Sequence, residues 1–211
     1  SYYMHSFISE AIHDSGYKVA ISGTGADEIY LGYYDHSLMW LAAMKDDPEF
    51  PRLLEEWRGG YGAFVNNPNL QDPLAFIKNP AQRSHLTLGC ESFKSYLKEP
   101  FTEAFGESEY CRELLRNRMQ NELLHEVVPI ILAEDDLNSM MFSIENRSPF
   151  LDSKLVEFLF MVPTRHLMRD GYAKWLLRDA VKGLLPDPVR LDRRKRGFNA
   201  SIDSLLNRQD P

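Results

Sequence analysis

Apolar side chains at Tyr3, Phe7, Ile8, Ala11 and Ile12 recur at three- and four-residue intervals, which predicts an amphipathic helix over residues 2–15. Gly16 stands where that helix should stop. The pattern then changes period. Tyr17 to Ile21 predicts a strand, and the run Val19-Ala20-Ile21 has no polar position to face water. Such a run predicts a strand of a parallel sheet, buried on both faces. No second segment downstream reads as its partner. Helical periodicity returns over residues 27–44, with Ile29, Leu38, Leu41 and Ala42 as expected core. Gly32 lies inside it and predicts a break or a close approach. Residues 46–107 are rich in Pro, Gly and Asn and read as an irregular region, with short helical pieces at Arg52–Trp57 and Glu91–Leu97. Helix is expected again over 108–125, after Pro129, at 153–161, at 172–182 and weakly at 201–207, punctuated by Pro163, Pro186 and Pro188.

The stretch that organises the chain is Val19-Ala20-Ile21-Ser22-Gly23-Thr24-Gly25-Ala26-Asp27-Glu28. Strand, glycine loop and helix start follow in the order an anion-binding crevice needs. Gly23 and Gly25 permit backbone angles that other residues resist and let a ligand approach the main chain. The free N–H groups of a helix start favour phosphate, whereas Asp27 and Glu28 repel it unless a metal travels with it. Mg²⁺ prefers oxygen ligands of this kind. The same residues also suit an ordinary strand–turn–helix with an acidic first turn.

Two later stretches carry possible chemistry. Glu145 and Arg147 are two apart, so they share a face only in extended chain, which Pro149 favours by pushing Ser148 out of helix. Such a pair can shape a substrate loop or simply brace it as an ion pair. Arg190-Leu191-Asp192-Arg193-Arg194-Lys195-Arg196 is dense in basic side chains and ends in Gly197-Phe198. It can be a solvated face, or it can set one lysine against a phosphate. His5, His13, His36, His85, His125 and His166 have no zinc-ligand spacing and read as ordinary surface or core residues.

Composition narrows the class. With 44% hydrophobic and 26% charged residues, the 211-residue chain is ordinary for a globular protein. A formal net charge of −7 argues against broad binding to nucleic acid or to a membrane surface. No apolar run reaches the roughly 18 residues of a membrane span. Cys90 and Cys111 form neither a metal motif nor a disulfide framework, which fits a reducing, cytoplasmic setting. The chain opens on Ser1 directly in helical pattern, without an initiator Met or a basic leader. It reads as a piece of something longer.

Four motifs in order resemble the synthetase half of the glutamine-dependent asparagine synthetase family. Ser22-Gly23-Thr24-Gly25-Ala26-Asp27-Glu28 with Gly32-Tyr33 resembles the family's second phosphate-site loop. Asp136 to Asp152 resembles its long Glu-x-Arg-x-Pro-Phe-Leu-Asp signature, and Lys174-Trp175-Leu176-Leu177-Arg178 its Lys-x-x-Leu-Arg helix. Arg194-Lys195-Arg196-Gly197-Phe198 resembles its catalytic-lysine loop.

The resemblance implies residues 1–211 as the C-terminal part of an adenine-nucleotide alpha-hydrolase-like, ATP-pyrophosphatase domain, mostly α in this segment with one strand left from an α/β parallel sheet. It implies ATP and Mg²⁺, adenylation of a small-molecule acid, and attack by ammonia from an upstream glutaminase domain in the same chain. Nucleic acid and membrane are not expected partners, and self-association into a homo-oligomer through the strand is. By position, Ser22, Gly23 and Gly25 would line the nucleotide, and Asp27 would hold Mg²⁺. Lys195 would be catalytic, Thr24 would occupy the family's other catalytic position, and Glu145 and Arg147 would shape the substrate loop.

Two departures stand out. Asparagine-making members usually carry an acid where this chain has Thr24, and a threonine is no general base at neutral pH. An amidotransferase acting on another acid, such as a sugar acid, is therefore a rival reading, and a non-catalytic helical binding module is a second. The family's first phosphate loop, Ser-Gly-Gly-x-Asp-Ser, also has no counterpart in these residues, so the 211 residues alone are expected not to turn over ATP.

Overall fold

A computed structural model describes residues 2–86, 90–99 and 105–195. The first helix, α1 (Tyr2–Asp14), ends at Gly16, whose φ of +82° is costly for other residues. Strand β1 (Val19–Ile21) follows and is shorter than the Tyr17–Ile21 run expected from its composition.

Its partner is present after all. β1 pairs in parallel with β2 (Glu145–Arg147), in the register Val19↔Glu145, Ala20↔Asn146 and Ile21↔Arg147. Backbone bonds from Glu145 N–H to Lys18 O (2.9 Å) and from Ser22 N–H to Arg147 O (2.8 Å) extend the ladder at both ends. β2 escaped detection because three polar residues carry no hydrophobic signal, and parallel pairing needs only backbone. The expectation that β1 is buried on both faces also fails. Val19 is 43% and Ile21 75% exposed, because among the described residues the sheet has only these two strands.

The long helical pattern at 27–44 is broken where Gly32 predicts. Helix α2 (Ala26–Tyr30) stops at Leu31, which adopts φ +66°, and α3 (Tyr34–Ala43) restarts after extended Tyr33. Ile29, Leu38 and Leu41 are fully buried as expected, while Ala42 is only partly so. Helix α3 is the spine of the larger core, its Leu38, Met39, Trp40 and Leu41 buried together with Trp57, Phe76, Leu115, Met119 and Leu167. Each large side chain buried here contributes roughly 1.5–3 kcal/mol of transfer free energy. The indole N–H groups are satisfied too: Trp40 donates to Thr164 O and Trp57 to Ser37 Oγ, both at 2.9 Å.

The region read as irregular, 46–107, holds α4 (Phe50–Gly59), α5 (Ala75–Lys78) and α6 (Cys90–Lys94), with two short 3-10 turns between α4 and α5. It is not an appendage, since Trp57, Tyr61, Val65, Leu70 and Phe76 all enter the core. Helix α7 (Leu114–Asn121) starts later than the 108–125 pattern suggests. Residues 108–113 form a strap instead, held by Asn121, whose amide accepts from Ser108 N–H and donates to Ser108 O, both at 2.8 Å. A π-turn at Glu122–Glu126 leads into α8 (Val128–Met140), with Pro129 in its first turn as expected. After β2 and a turn at Pro149–Leu151 comes α9 (Ser153–Met161), capped by Asp152, whose carboxylate accepts from Lys154 and Leu155 N–H. Helices α10 (Trp175–Ala180) and α11 (Asp187–Arg190) close the described chain, α10 occupying the middle of the 172–182 pattern. The helix expected at 201–207 and the Gly197-Phe198 pair lie outside the described residues. Among the described residues no helix is long and apolar enough to cross a membrane.

Candidate functional site

The loop Ser22–Gly25 leaves the carboxyl end of β1; Ser22, Gly23 and Thr24 line one pocket, and Asp27, just beyond the loop, lines another. Gly25 has φ +91°, and a Cβ there would collide with the Leu151 side chain. Its glycine is thus required by a neighbouring turn. Gly23 has no atom within 4 Å of where its Cβ would be, so it is the glycine open to a ligand. The helix start is a weaker anion site than its sequence suggests. Helix α2 has five residues, and Ala26 N–H already donates to Gly23 O (3.3 Å). The positive field comes from side chains.

Asp27 projects from the first turn of α2 into a pocket of about 120 Å³. Lys195 Nζ donates to Asp27 Oδ2 at 2.7 Å across 168 residues of sequence. Lys174 makes an ion pair with the other carboxylate oxygen. Arg178, Arg193 and Arg194 line the same pocket, but only the two lysines pair with the carboxylate. Burial pushes the Asp27 carboxyl up, but Lys174 and Lys195 overbalance it and hold the group below its ordinary value. Lys195 also lies 4.2 Å from the centre of the Tyr33 ring, a cation–π contact that fixes the direction of its stem. Gly32 makes room for all this, because a Cβ there would overlap Asp27 itself.

The neighbouring arginines divide. Arg194 is solvent-facing and paired with Asp192 (2.9 Å), whereas Arg193 stacks 4.2 Å over Tyr172 and donates to Gly59 O and Asp170 O. Lys174 carries no role in the motif comparison beyond membership of its helix. Its backbone sits at φ +58°, an uncommon conformation for a non-glycine residue, at the N-cap of α10. No feature of the sequence marks this.

Thr24 and Ser22 line the second pocket, about 300 Å³, with Ala20, Ile21, Gly23 and residues of α1 and α8. Ser22 Oγ donates to Thr24 Oγ1 (3.1 Å), and Thr24 Oγ1 donates to Asp135 Oδ2 (3.3 Å). Asp135 in turn is hydrogen-bonded to His5 Nδ1 at 2.6 Å. His5 is therefore a pocket residue, which its isolated position in the sequence does not reveal. Glu145 and Arg147 behave differently from their expected role. They do share a face of an extended segment, and Arg147 Nε meets Glu145 Oε1 at 2.9 Å. Both side chains are 61% exposed, and neither lines the Asp27 pocket. The residue between them, Asn146, faces the Thr24 pocket instead.

The site thus consists of a glycine loop at the carboxyl end of a parallel strand pair, followed by a carboxylate clasped by two ammoniums. The chain belongs to the asparagine synthase family, whose model matches residues 1–210. It is 32% identical over 119 residues to asparagine synthetase [glutamine-hydrolyzing] 1 of Bacillus subtilis, covering 56% of this chain and 18% of that protein. It is 42% identical over 59 residues to asparagine synthetase [glutamine-hydrolyzing] 3 of the same organism, covering 28% of this chain and 10% of that one. Amidase chry2 of Gibberella zeae is 26% identical over 221 residues, covering 86% of this chain and 32% of that protein. The chain thus spans under a third of the length of these curated relatives. No solved structure matches it.

Proposed function

We propose that residues 1–211 form the C-terminal part of a synthetase domain that makes amides at the expense of ATP. A carboxylate is adenylated with release of pyrophosphate, and ammonia derived from glutamine then displaces AMP. The observation that carries this reading is the convergence of Lys174 and Lys195 on Asp27 beside an open glycine loop.

The residues fit a magnesium-bound pyrophosphate. Lys174 and Lys195 share a single carboxylate in a pocket that Arg178 and Arg193 also line, and pyrophosphate would supply the further negative charge these cations can take. Asp27 is a hard oxygen donor and would hold the Mg²⁺, which neutralises charge on the departing phosphates. Lys195 and Lys174 then have oxygens to bind in place of the carboxylate they now clasp. Charge on the phosphate and on the acyl oxygen grows as bonds break and form, so a positioned ammonium stabilises the transition state more than the ground state. Lys195 suits this because its charge is compact and its stem can follow a moving anion. Ser22 and Gly23 line the loop where the nucleotide would lie, and the Arg193 stack on Tyr172 keeps the pocket wall in place.

The acid is not aspartate on this reading. Thr24 stands where asparagine-making members usually carry an acid, which favours another acid such as a sugar acid, and Ser9, Ser22, Ser139 and Asn146 offer hydrogen-bonding groups for its hydroxyls among the isoleucines of the pocket beside it. Magnesium-dependent pyrophosphate release from ATP by the full-length protein, screened over L-aspartate, L-glutamate and D-glucuronate with ammonium chloride as nitrogen source, tests the proposal. Acid-stimulated release is expected, greater with D-glucuronate than with L-aspartate. No acid-stimulated release over the panel overturns it.

A further inference from the structure

Thr24 by itself cannot take a proton at neutral pH, yet the structure joins it to a carboxylate from elsewhere in the chain. Asp135, on the third turn of α8, is 6% exposed, and its Oδ2 accepts from Thr24 Oγ1 at 3.3 Å. Oδ2 also accepts from Asn146 Nδ2 (3.4 Å), and Oδ1 is bonded to His5 Nδ1 (2.6 Å). Asn146 belongs to β2 and His5 to α1, so three elements converge to hold one acid against one hydroxyl. Ser22 Oγ, itself 3.0 Å from Ser148 Oγ, donates to Thr24 and orients its hydroxyl toward Asp135. A buried carboxylate needs such partners, but a cap or a core contact would serve that need without a chain of hydroxyls opening into a 300 Å³ pocket.

We propose that Thr24, Asp135 and His5 form a proton relay that replaces the missing acid of the glycine loop. The inference rests on the amide-forming reading above. Ammonia attacks the acyl carbon, a C–N bond forms, and the C–O bond to AMP breaks with its electron pair leaving on the phosphate. The surplus proton on nitrogen passes to Thr24 Oγ1 as the hydroxyl proton moves to Asp135 Oδ2. Thr24 is the group that meets the amine. Asp135 and His5 act through it and are positioning residues, His5 fixing the carboxylate by its hydrogen bond to Oδ1.

The test separates the two half-reactions in the full-length protein. ATP–pyrophosphate exchange, with the acid that stimulates pyrophosphate release, reports adenylation, and amide formation from ammonium chloride reports proton removal. Asp135→Asn should lower the ratio of amide formation to exchange on the order of 10²-fold, the scale of a general base. Thr24→Val should lower the same ratio and carries the test if Asp135→Asn does not fold. The double variant Thr24→Glu/Asp135→Asn, which puts the carboxylate back on the loop, should restore the ratio to within about tenfold of wild type. Without substrate, the ¹⁵N resonances of the His5 imidazole should move on Thr24→Val through the shared carboxylate. Equal losses in both half-reactions, an unchanged ratio, or a double variant no better than Asp135→Asn each overturn the relay while leaving the adenylation reading intact. A wild type without exchange overturns the adenylation reading instead.

Discussion

At the residue scale, the site is one carboxylate between two ammoniums, and its chemistry can be tested atom by atom. Lys195→Ala should reduce amide formation by the full-length protein on the order of 10²-fold or more, as for loss of one transition-state donor. Lys195→Arg should recover only part of it, because a planar guanidinium cannot share the Asp27 oxygen and the Tyr33 face in the same way. If Arg194→Ala, whose side chain is solvent-facing and paired to Asp192, loses as much, the basic run acts only as a field. Asp27→Asn has a sharper sign. It removes the oxygen donor proposed for Mg²⁺ but also the negative charge between Lys174 and Lys195. Calorimetry should show bare pyrophosphate binding at least as tightly as in wild type, with the gain from added Mg²⁺ lost. An equal Mg²⁺ gain in both proteins would reassign Asp27 to a helix-start role.

At the scale of elements, a buried charge network locks α3 to α7 and to the π-turn. His36 Nε2 and Glu122 Oε2 are 2.6 Å apart, His85 Nε2 and Asp35 Oδ2 3.2 Å, and Arg118 holds Glu107, Glu122 and Glu126 together. Asp35, His36 and Glu122 bring three ligand-type atoms within 4.8 Å of one another, yet Glu122 is already ion-paired with Arg118 and Asp35 hydrogen-bonded to His85. Burial pushes the His36 imidazole down, but Glu122 and Asp35 outweigh it and raise its pKa above the ordinary 6.5. For Asp35, burial pushes up, but His85, His36 and Arg118 together more than compensate, leaving it at about 2. The signs differ. Stability from His36 is fully present below pH 6.5 and is lost as pH rises through the raised folded value, whereas that from Asp35 persists until strongly acid pH. Melting temperatures of wild type and His36→Gln should therefore differ most near pH 6 and converge toward pH 9. A gap that stays constant over this range would mean that the ring acts only by packing.

At the scale of the molecule, charge is segregated: a chain of net charge −7 gathers five cations around a single pocket. That arrangement concentrates positive charge at one place on a chain that is acidic as a whole. Apolar surface is segregated as well. Val19 and Ile21 are exposed on β1, Phe7 and Ile8 on α1, and Leu137, Met140 and Met141 near the end of α8. A strand edge with exposed apolar side chains invites pairing with another chain. The purified 211-residue chain should associate in a concentration-dependent way in sedimentation velocity, and Val19→Lys/Ile21→Lys should shift it toward monomer at the same loading. Monomer throughout the soluble range for wild type would remove the edge as an interaction surface.

Local chemistry was legible in the chain itself. The order of strand, glycine loop and helix start, the break at Gly32, the extent of α9 and the core positions Ile29, Leu38 and Leu41 all follow from periodicity and backbone freedom within a few residues. Motif order was enough to indicate the family. The pairing of β2 with β1 was not legible, because Glu145-Asn146-Arg147 pairs by its backbone and shows no hydrophobic period. Nor were Lys174 beside Lys195 on Asp27, or His5 and Asp135 behind Thr24. Those contacts span 168, 130 and 111 residues for the Lys195–Asp27, His5–Asp135 and Thr24–Asp135 pairs. Over such separations a charge finds its partner only through the path that the packed helices impose on the chain. The sequence alone therefore determined where the glycine loop lies and which family the chain belongs to, and the tertiary structure decided which side chains gather around that loop and the carboxylate that follows it.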